Sequence, residues 1–207
     1  MIKSSALSAI ATAALLLAAA PADAVIVVYT ATLSGPGESP PNASPGTGLA
    51  IVTIDDVLDT MRVQTTFLGL TGTTTASHIH CCTALPGTGA AGVATVTPTF
   101  TGFPLGVTSG FYDMTFNMLF ASSWNPAYIA ANGGTPASAF SAFNTGLLAG
   151  EGYLNIHSST FGGGEIRGFL QPNLPLALPV PEPSTYSLML GGLAAVGWFA
   201  ARRRRVG

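Results

Sequence analysis

A chain of 207 residues with only 8% charged side chains and a formal net charge of −2 lacks the clustered Lys and Arg that phosphate binding draws on, which argues against a nucleic-acid partner. Four of its seven basic residues are the terminal run Arg202, Arg203, Arg204 and Arg205, and residues 25–180 keep only Arg62 and Arg167 against seven carboxylates. That span has room for one domain rather than two, and its surface must be covered by Thr, Ser, Asn and Gly.

Residues 1–24 read as a secretory signal peptide. Lys3 gives a basic start, residues 6–20 are apolar, and Ala22-Asp23-Ala24 offers the small-x-small pattern for cleavage after Ala24. The apolar run is short for a retained membrane helix. Strand signals follow, punctuated by Gly and Pro, with strands expected at 25–33, 49–54, 61–67, 76–82, 92–97, 110–120, 152–157 and 165–171. Asp55, Asp56 and Asp59 mark a turn, so the second and third strands read as a hairpin with Met61, Val63 and Thr65 on one face. Calcium chelation by these aspartates is the weaker alternative, because the EF-hand spacing is missing.

Two helix starts interrupt this pattern. Asn125-Pro126 and Thr135-Pro136 each place a capping residue before a proline, and Gly133-Gly134 and Gly150 supply the stops. The expectation is an all-β fold, an antiparallel sandwich or barrel over 25–172, with a helical insertion at about 125–149. Residues 173–180 form a Pro/Leu linker to a tail over 181–207. In that tail, 186–201 is apolar and near the lower length limit for a transmembrane helix, and Arg202–Arg205 would stop it on the cytoplasmic side. The β domain would then face outward.

Val180-Pro181-Glu182-Pro183, the apolar stretch and the basic end together resemble the PEP-CTERM sorting signal of Gram-negative bacteria. The resemblance implies an exosortase-type processing enzyme, a transient inner-membrane anchor, removal of the tail near the motif, and delivery to the outer surface or an exopolysaccharide matrix. Further segments resemble the chordin-type, or CHRD, domain family. They are Tyr29-Thr30-Ala31-Thr32-Leu33-Ser34-Gly35 with Glu38-Ser39-Pro40-Pro41, Gly69-Leu70-Thr71-Gly72 leading to Ala76-Ser77-His78-Ile79-His80, Tyr153-Leu154-Asn155-Ile156-His157, and Gly163-Gly164-Glu165-Ile166-Arg167-Gly168. This resemblance implies an immunoglobulin-like β-barrel. Cys81-Cys82 and Gly162 depart from the family pattern.

The three histidines of the chain, His78, His80 and His157, all fall in these motifs. On a strand, residues two apart share a face at roughly 6.7 Å, so His78, His80 and Cys82 would line one face. A neighbouring strand ending at His157 would add a third imidazole, with Cys82 or Glu165 as a fourth ligand, a set suited to copper or zinc. The competing reading makes these histidines structural, bonded to backbone carbonyls. Gly69-Leu70 with His78-Ile79-His80 is similar to the strand entering the copper site of copper/zinc superoxide dismutases, but the further histidines and the aspartate of those sites are missing. For Cys81 and Cys82, a vicinal disulfide competes with free or metal-bound thiols and with an intermolecular bridge. Gly162-Gly163-Gly164 precedes a strand and reads as a turn rather than a phosphate loop. Glu165 and Arg167 share a strand face and are expected to pair.

Without a Ser-His-Asp constellation, the sequence favours a non-enzymatic binding or structural module, exported to the periplasm, outer surface or extracellular matrix. Extracellular polysaccharide or surface proteins are its expected partners. The alternative is a copper- or zinc-binding, redox-capable extracytoplasmic protein centred on His78, His80, His157 and Cys82.

Overall fold

The computed structural model describes residues 26–173 and 183–203. The leader with Ala22 and Ala24, residues Val180, Pro181 and Glu182 of the sorting motif, and Arg204 and Arg205 lie outside the described residues.

Period-two alternation builds the sheet. In β1 (Ile26–Ser34) the residues Val27, Tyr29, Ala31 and Leu33 are buried, and in β2 (Thr47–Asp55) so are Ala50, Val52 and Ile54. The hairpin to β3 (Thr60–Leu68) sets Val52 opposite Val63 and Ile54 opposite Met61. Asp55 Oδ1 accepts the N–H groups of Val57 and Leu58 at 3.0 and 2.9 Å, which closes the turn. Each aliphatic side chain turned inward in this way contributes about 1.5–3 kcal/mol of burial free energy.

The remaining strands are β4 (Thr74–His80), β5 (Gly110–Asn117), β6 (Tyr153–Ser158), β7 (Ile166–Phe169) and β8 (Gln171–Pro172). All pair antiparallel in one curled sheet, a half-barrel of order β4-β6-β7-β1-β2-β3-β5, with β8 also on β1. This is the expected all-β architecture. The expected strand at 92–97 is instead a covering loop with isolated bridges from Val93 to His80 and from Thr95 to Trp124. Here side-chain hydroxyls replace a ladder, since Thr95 Oγ1 accepts Ile79 N–H at 3.0 Å and Thr99 Oγ1 accepts Ser77 N–H at 2.9 Å. The strand expected at 165–171 divides at Leu170, whose N–H turns to the Gly152 carbonyl.

The helical insertion forms where the caps put it. Asn125 accepts Ala127 N–H at 3.0 Å to start α1 (Pro126–Ala131), and Thr135 with Ser138 makes a capping box for α2 (Pro136–Leu148). The buried face of α2, with Phe140, Phe143 and Leu147, packs on Trp124, whose ring meets Phe143 edge-on at 5.4 Å.

The tail forms a separate unit containing α3 (Pro183–Arg203), which starts ahead of the expected 186–201. The transmembrane span expected there needs correction, because among the described residues no helix is long and apolar enough to cross a membrane. Ser184, Thr185, Ser187, Gly191, Gly192 and Gly197 dilute its apolar run. Arg202 folds back over the Trp198 ring at 4.6 Å.

Candidate metal centre

Adjacent strands bring the histidines together. In the β4–β6 ladder Ala76 faces His157, His78 faces Asn155 and His80 faces Tyr153, so the three imidazoles project from neighbouring rows. One ring nitrogen from each lies within 4.8 Å of the other two; His78 is buried, and His80 and His157 are half-buried. The His78 ring centre is 4.8 Å from that of His80 and 4.7 Å from that of His157.

Backbone carbonyls orient the rings. His80 Nδ1 lies 2.8 Å from Ala91 O and His157 Nδ1 lies 2.9 Å from Gly162 O. A carbonyl only accepts, so both Nδ1 atoms carry the proton and both Nε2 atoms present lone pairs. His157 Nε2 then accepts from His78 Nε2 at 2.9 Å. His78 Nδ1 and His80 Nε2 are buried without a well-formed hydrogen bond, and the Pro98 carbonyl and the Asn155 side chain respectively are the groups that act on these two rings. Moving the His78 proton to Nδ1 turns it toward the Pro98 carbonyl, which already favours a protonated ring there, and frees the third Nε2. Carbonyl-held outer nitrogens with convergent inner nitrogens are the outer arrangement of histidine metal sites. Around a tetrahedral ion with 2.0–2.1 Å bonds the nitrogens would stand roughly 3.3 Å apart, so the widest gap must close by about 1.5 Å.

The electrostatics keep the imidazoles neutral. Burial first, then the neighbouring His80 and His157 rings, push the His78 pKa down to about 3, against the pull of the Pro98 carbonyl. Burial likewise holds His80 and His157 below the usual imidazole value, opposed by the Ala91 and Gly162 carbonyls respectively. Neutral imidazole is the ligand form. Tyr153 supports the cluster by stacking on His80 at 4.7 Å with planes 8° apart, and its hydroxyl lies 3.3 Å from the Ala91 carbonyl that holds the same imidazole.

Two expected ligands stand elsewhere. Cys82 is bonded to Cys81 in a vicinal disulfide, so its sulfur is no thiolate, and it faces the Tyr128 hydroxyl at 3.8 Å. Glu165 is fully buried, accepting from Ser44 Oγ at 2.6 Å, from Gly72 N–H at 3.2 Å and from Thr71 N–H. Nor does it pair with Arg167. Glu165 precedes β7 and turns to loop backbone, while Arg167 donates through Nε to the Gly37 carbonyl and stands 3.8 Å from Glu38. The Glu38–Arg167 pair was missed by sequence reasoning, although both residues lie in segments that carry the family resemblance and Arg167 is one of only two cations between residues 25 and 180.

A half-barrel with three convergent imidazoles and a vicinal disulfide is a small β module suited to an oxidising compartment. A family model for the CHRD domain matches residues 29–170, and the chain belongs to the CHRD domain family. Residues 179–205 match the PEP-CTERM protein-sorting motif, which implies export, processing by an exosortase-type enzyme, and a surface or extracellular location. Neither a curated protein nor a solved structure matches the chain.

Proposed function

We propose that this CHRD protein is a surface- or matrix-delivered binding module, non-enzymatic, that holds one copper or zinc ion through His78, His80 and His157. The observation carrying this reading is the convergence of one ring nitrogen from each of His78, His80 and His157 to within 4.8 Å of one another, in a cluster whose outer nitrogens on His80 and His157 face carbonyls. With Cys82 withdrawn into its disulfide the donor set is all imidazole, which suits both metals, and the affinity order of divalent ions favours copper. Three protein ligands leave a position open to water or to a donor from the surrounding polymer.

The test is calorimetric titration of metal-stripped protein with Cu(II) and Zn(II), alongside His80→Ala and His157→Ala. One ion per chain is expected, with affinity falling about 100-fold or more in each variant. Wild-type protein that takes up no ion, or variants that bind as well as wild type, would overturn the reading.

A further inference from the structure

Away from the histidines, a cleft of about 420 Å³ opens between the end of β1, the turn after it, β7 and the 87–89 loop. Its walls include Thr32, Ser34, Glu38, Thr88, Arg167 and Phe169. The volume falls in the ordinary range for small-molecule sites. Two segments of the family resemblance, Glu38-Ser39-Pro40-Pro41 and Gly163–Gly168, meet here although more than 120 residues apart.

The cleft holds a charged pair that is only partly satisfied. Arg167 is 5% exposed and Glu38 is 7% exposed. The guanidinium carbon sits 4.5 Å from the Tyr153 ring centre and 5.6 Å from that of Phe169, and Nε donates to the Gly37 carbonyl. The terminal guanidinium nitrogens make no hydrogen bond among the described residues. Glu38 approaches only Nε, at 3.8 Å through Oε2, so the two-pronged geometry that makes Arg–carboxylate pairs strong is not used. Glu38 Oε1 is buried and has no partner. By contrast, Arg62, the other arginine of the β domain, grips Asp113 with two bonds of 2.8 and 2.6 Å.

A group that fits must bring a flat, two-oxygen anion to the terminal nitrogens of Arg167 and hydroxyls to the wall that Glu38 shares with the neighbouring Ser and Thr side chains. The hydroxyls of Thr32, Ser34 and Thr88 line the same walls, and Phe169 offers an apolar face of the kind that sugar C–H surfaces cover. Carboxylate and hydroxyls on one small ring describe a uronic acid. We infer that the Glu38–Arg167 cleft binds a hexuronate, with its carboxylate on Arg167 and its ring hydroxyls on Glu38 and the neighbouring Ser and Thr side chains. The hexuronate can be a free sugar or one unit of an acidic polysaccharide.

The experiment uses the full chain, metal-stripped so that the histidine site plays no part. Glucuronate, glucose and an oligomer of galacturonate are titrated in calorimetry. Saturable binding of glucuronate without binding of glucose is expected for the free sugar, and binding of the oligomer alone identifies a polymer unit as the ligand. Arg167→Lys keeps the charge and removes the fork, and is expected to weaken binding at least tenfold. Because Arg167 is buried, a second variant, Thr88→Trp on the exposed 87–89 loop, fills the mouth without touching the core and should abolish binding with an unchanged circular dichroism spectrum. No binding of either uronate, equal binding of glucose, or binding that survives both substitutions would overturn the inference.

Discussion

The guanidinium carbon of Arg167 lies 4.5 Å from the centre of the Tyr153 ring, and the same ring stacks on His80 at 4.7 Å. One aromatic side chain thus joins the arginine cleft to the histidine cluster. Burial above all, and the Arg167 charge to a lesser degree, hold the His80 pKa down. Tyr153→Phe keeps both stacks and loses only the hydroxyl at Ala91, so metal affinity should fall about 10-fold while the fold persists. Tyr153→Ala removes a side chain that is 3% exposed and should cost about 3–5 kcal/mol. Urea denaturation and metal titration of the two variants check this, and equal metal affinity in wild type and Tyr153→Phe counts against the supporting role.

Glu38 gives the protein a distinctive response to pH. Burial raises its carboxyl from 4.5 to about 7, against the pull of Arg167 and the Ser39 N–H. Between those values the folded chain keeps a proton that the unfolded chain has released, so this group lowers stability as pH rises through the window. Glu38→Gln abolishes the titration. Relative to wild type, the variant should gain stability steadily from pH 4.5 to pH 7, read as a growing separation of urea midpoints. A difference that stays constant with pH refutes the assignment.

Glu165 has the opposite sign. Burial would raise its carboxyl, but hydrogen bonds from Ser158, Ser44, Thr71 and Gly72 outweigh it and hold it below the usual value of 4.5. Its contribution is therefore present above that value and lost as pH falls through the lower folded one. Glu165→Ala leaves several buried donors unpaired at about 1–3 kcal/mol each. Thermal unfolding at neutral pH should show Tm reduced by roughly 10 °C, given about 3 °C per kcal/mol for a domain of this size.

Gly146 lies on the buried face of α2 directly against the sulfurs of Cys81 and Cys82, where a Cβ would meet Cys82 Sγ. Gly146→Ala should therefore destabilise by about 1–3 kcal/mol through overpacking. Replacing both cysteines with alanine removes the obstacle. Denaturation of the wild type, the Gly146→Ala protein, the cysteine-free protein and their combination should show a clearly non-additive cycle, and simple additivity would place the disulfide away from the helix.

Local chemistry explains which features were legible. The β2–β3 hairpin follows from strict alternation around an aspartate turn, and α1 and α2 from Asn-Pro and Thr-Pro starts, all signals that act within a few residues. His78 and His80 could be put on one face because strand periodicity fixes it, and His157 joined them because its strand pairs alongside. Partnerships of Glu165 were beyond that reach. Position suggested Arg167 two residues on, whereas the actual donors are Ser44, Ser158 and the backbone at 71–72, brought in by chain closure. The segment 92–97 has strand composition, yet threonine hydroxyls take the bonds a ladder would have used. Cysteine state was similarly hidden, since two neighbouring cysteines leave a vicinal disulfide, free or metal-bound thiols and an intermolecular bridge all open, and the folded chain bonds Cys81 to Cys82.

The loop laid along β4 by Ala94, Thr95, Thr99 and Phe100 occupies amides and carbonyls that an outermost strand would otherwise show to its surroundings. For an exported protein, this denies neighbouring molecules a template on which to add a strand. The histidine-bearing margin of the sheet is thereby guarded against edge-to-edge self-association and fibril growth.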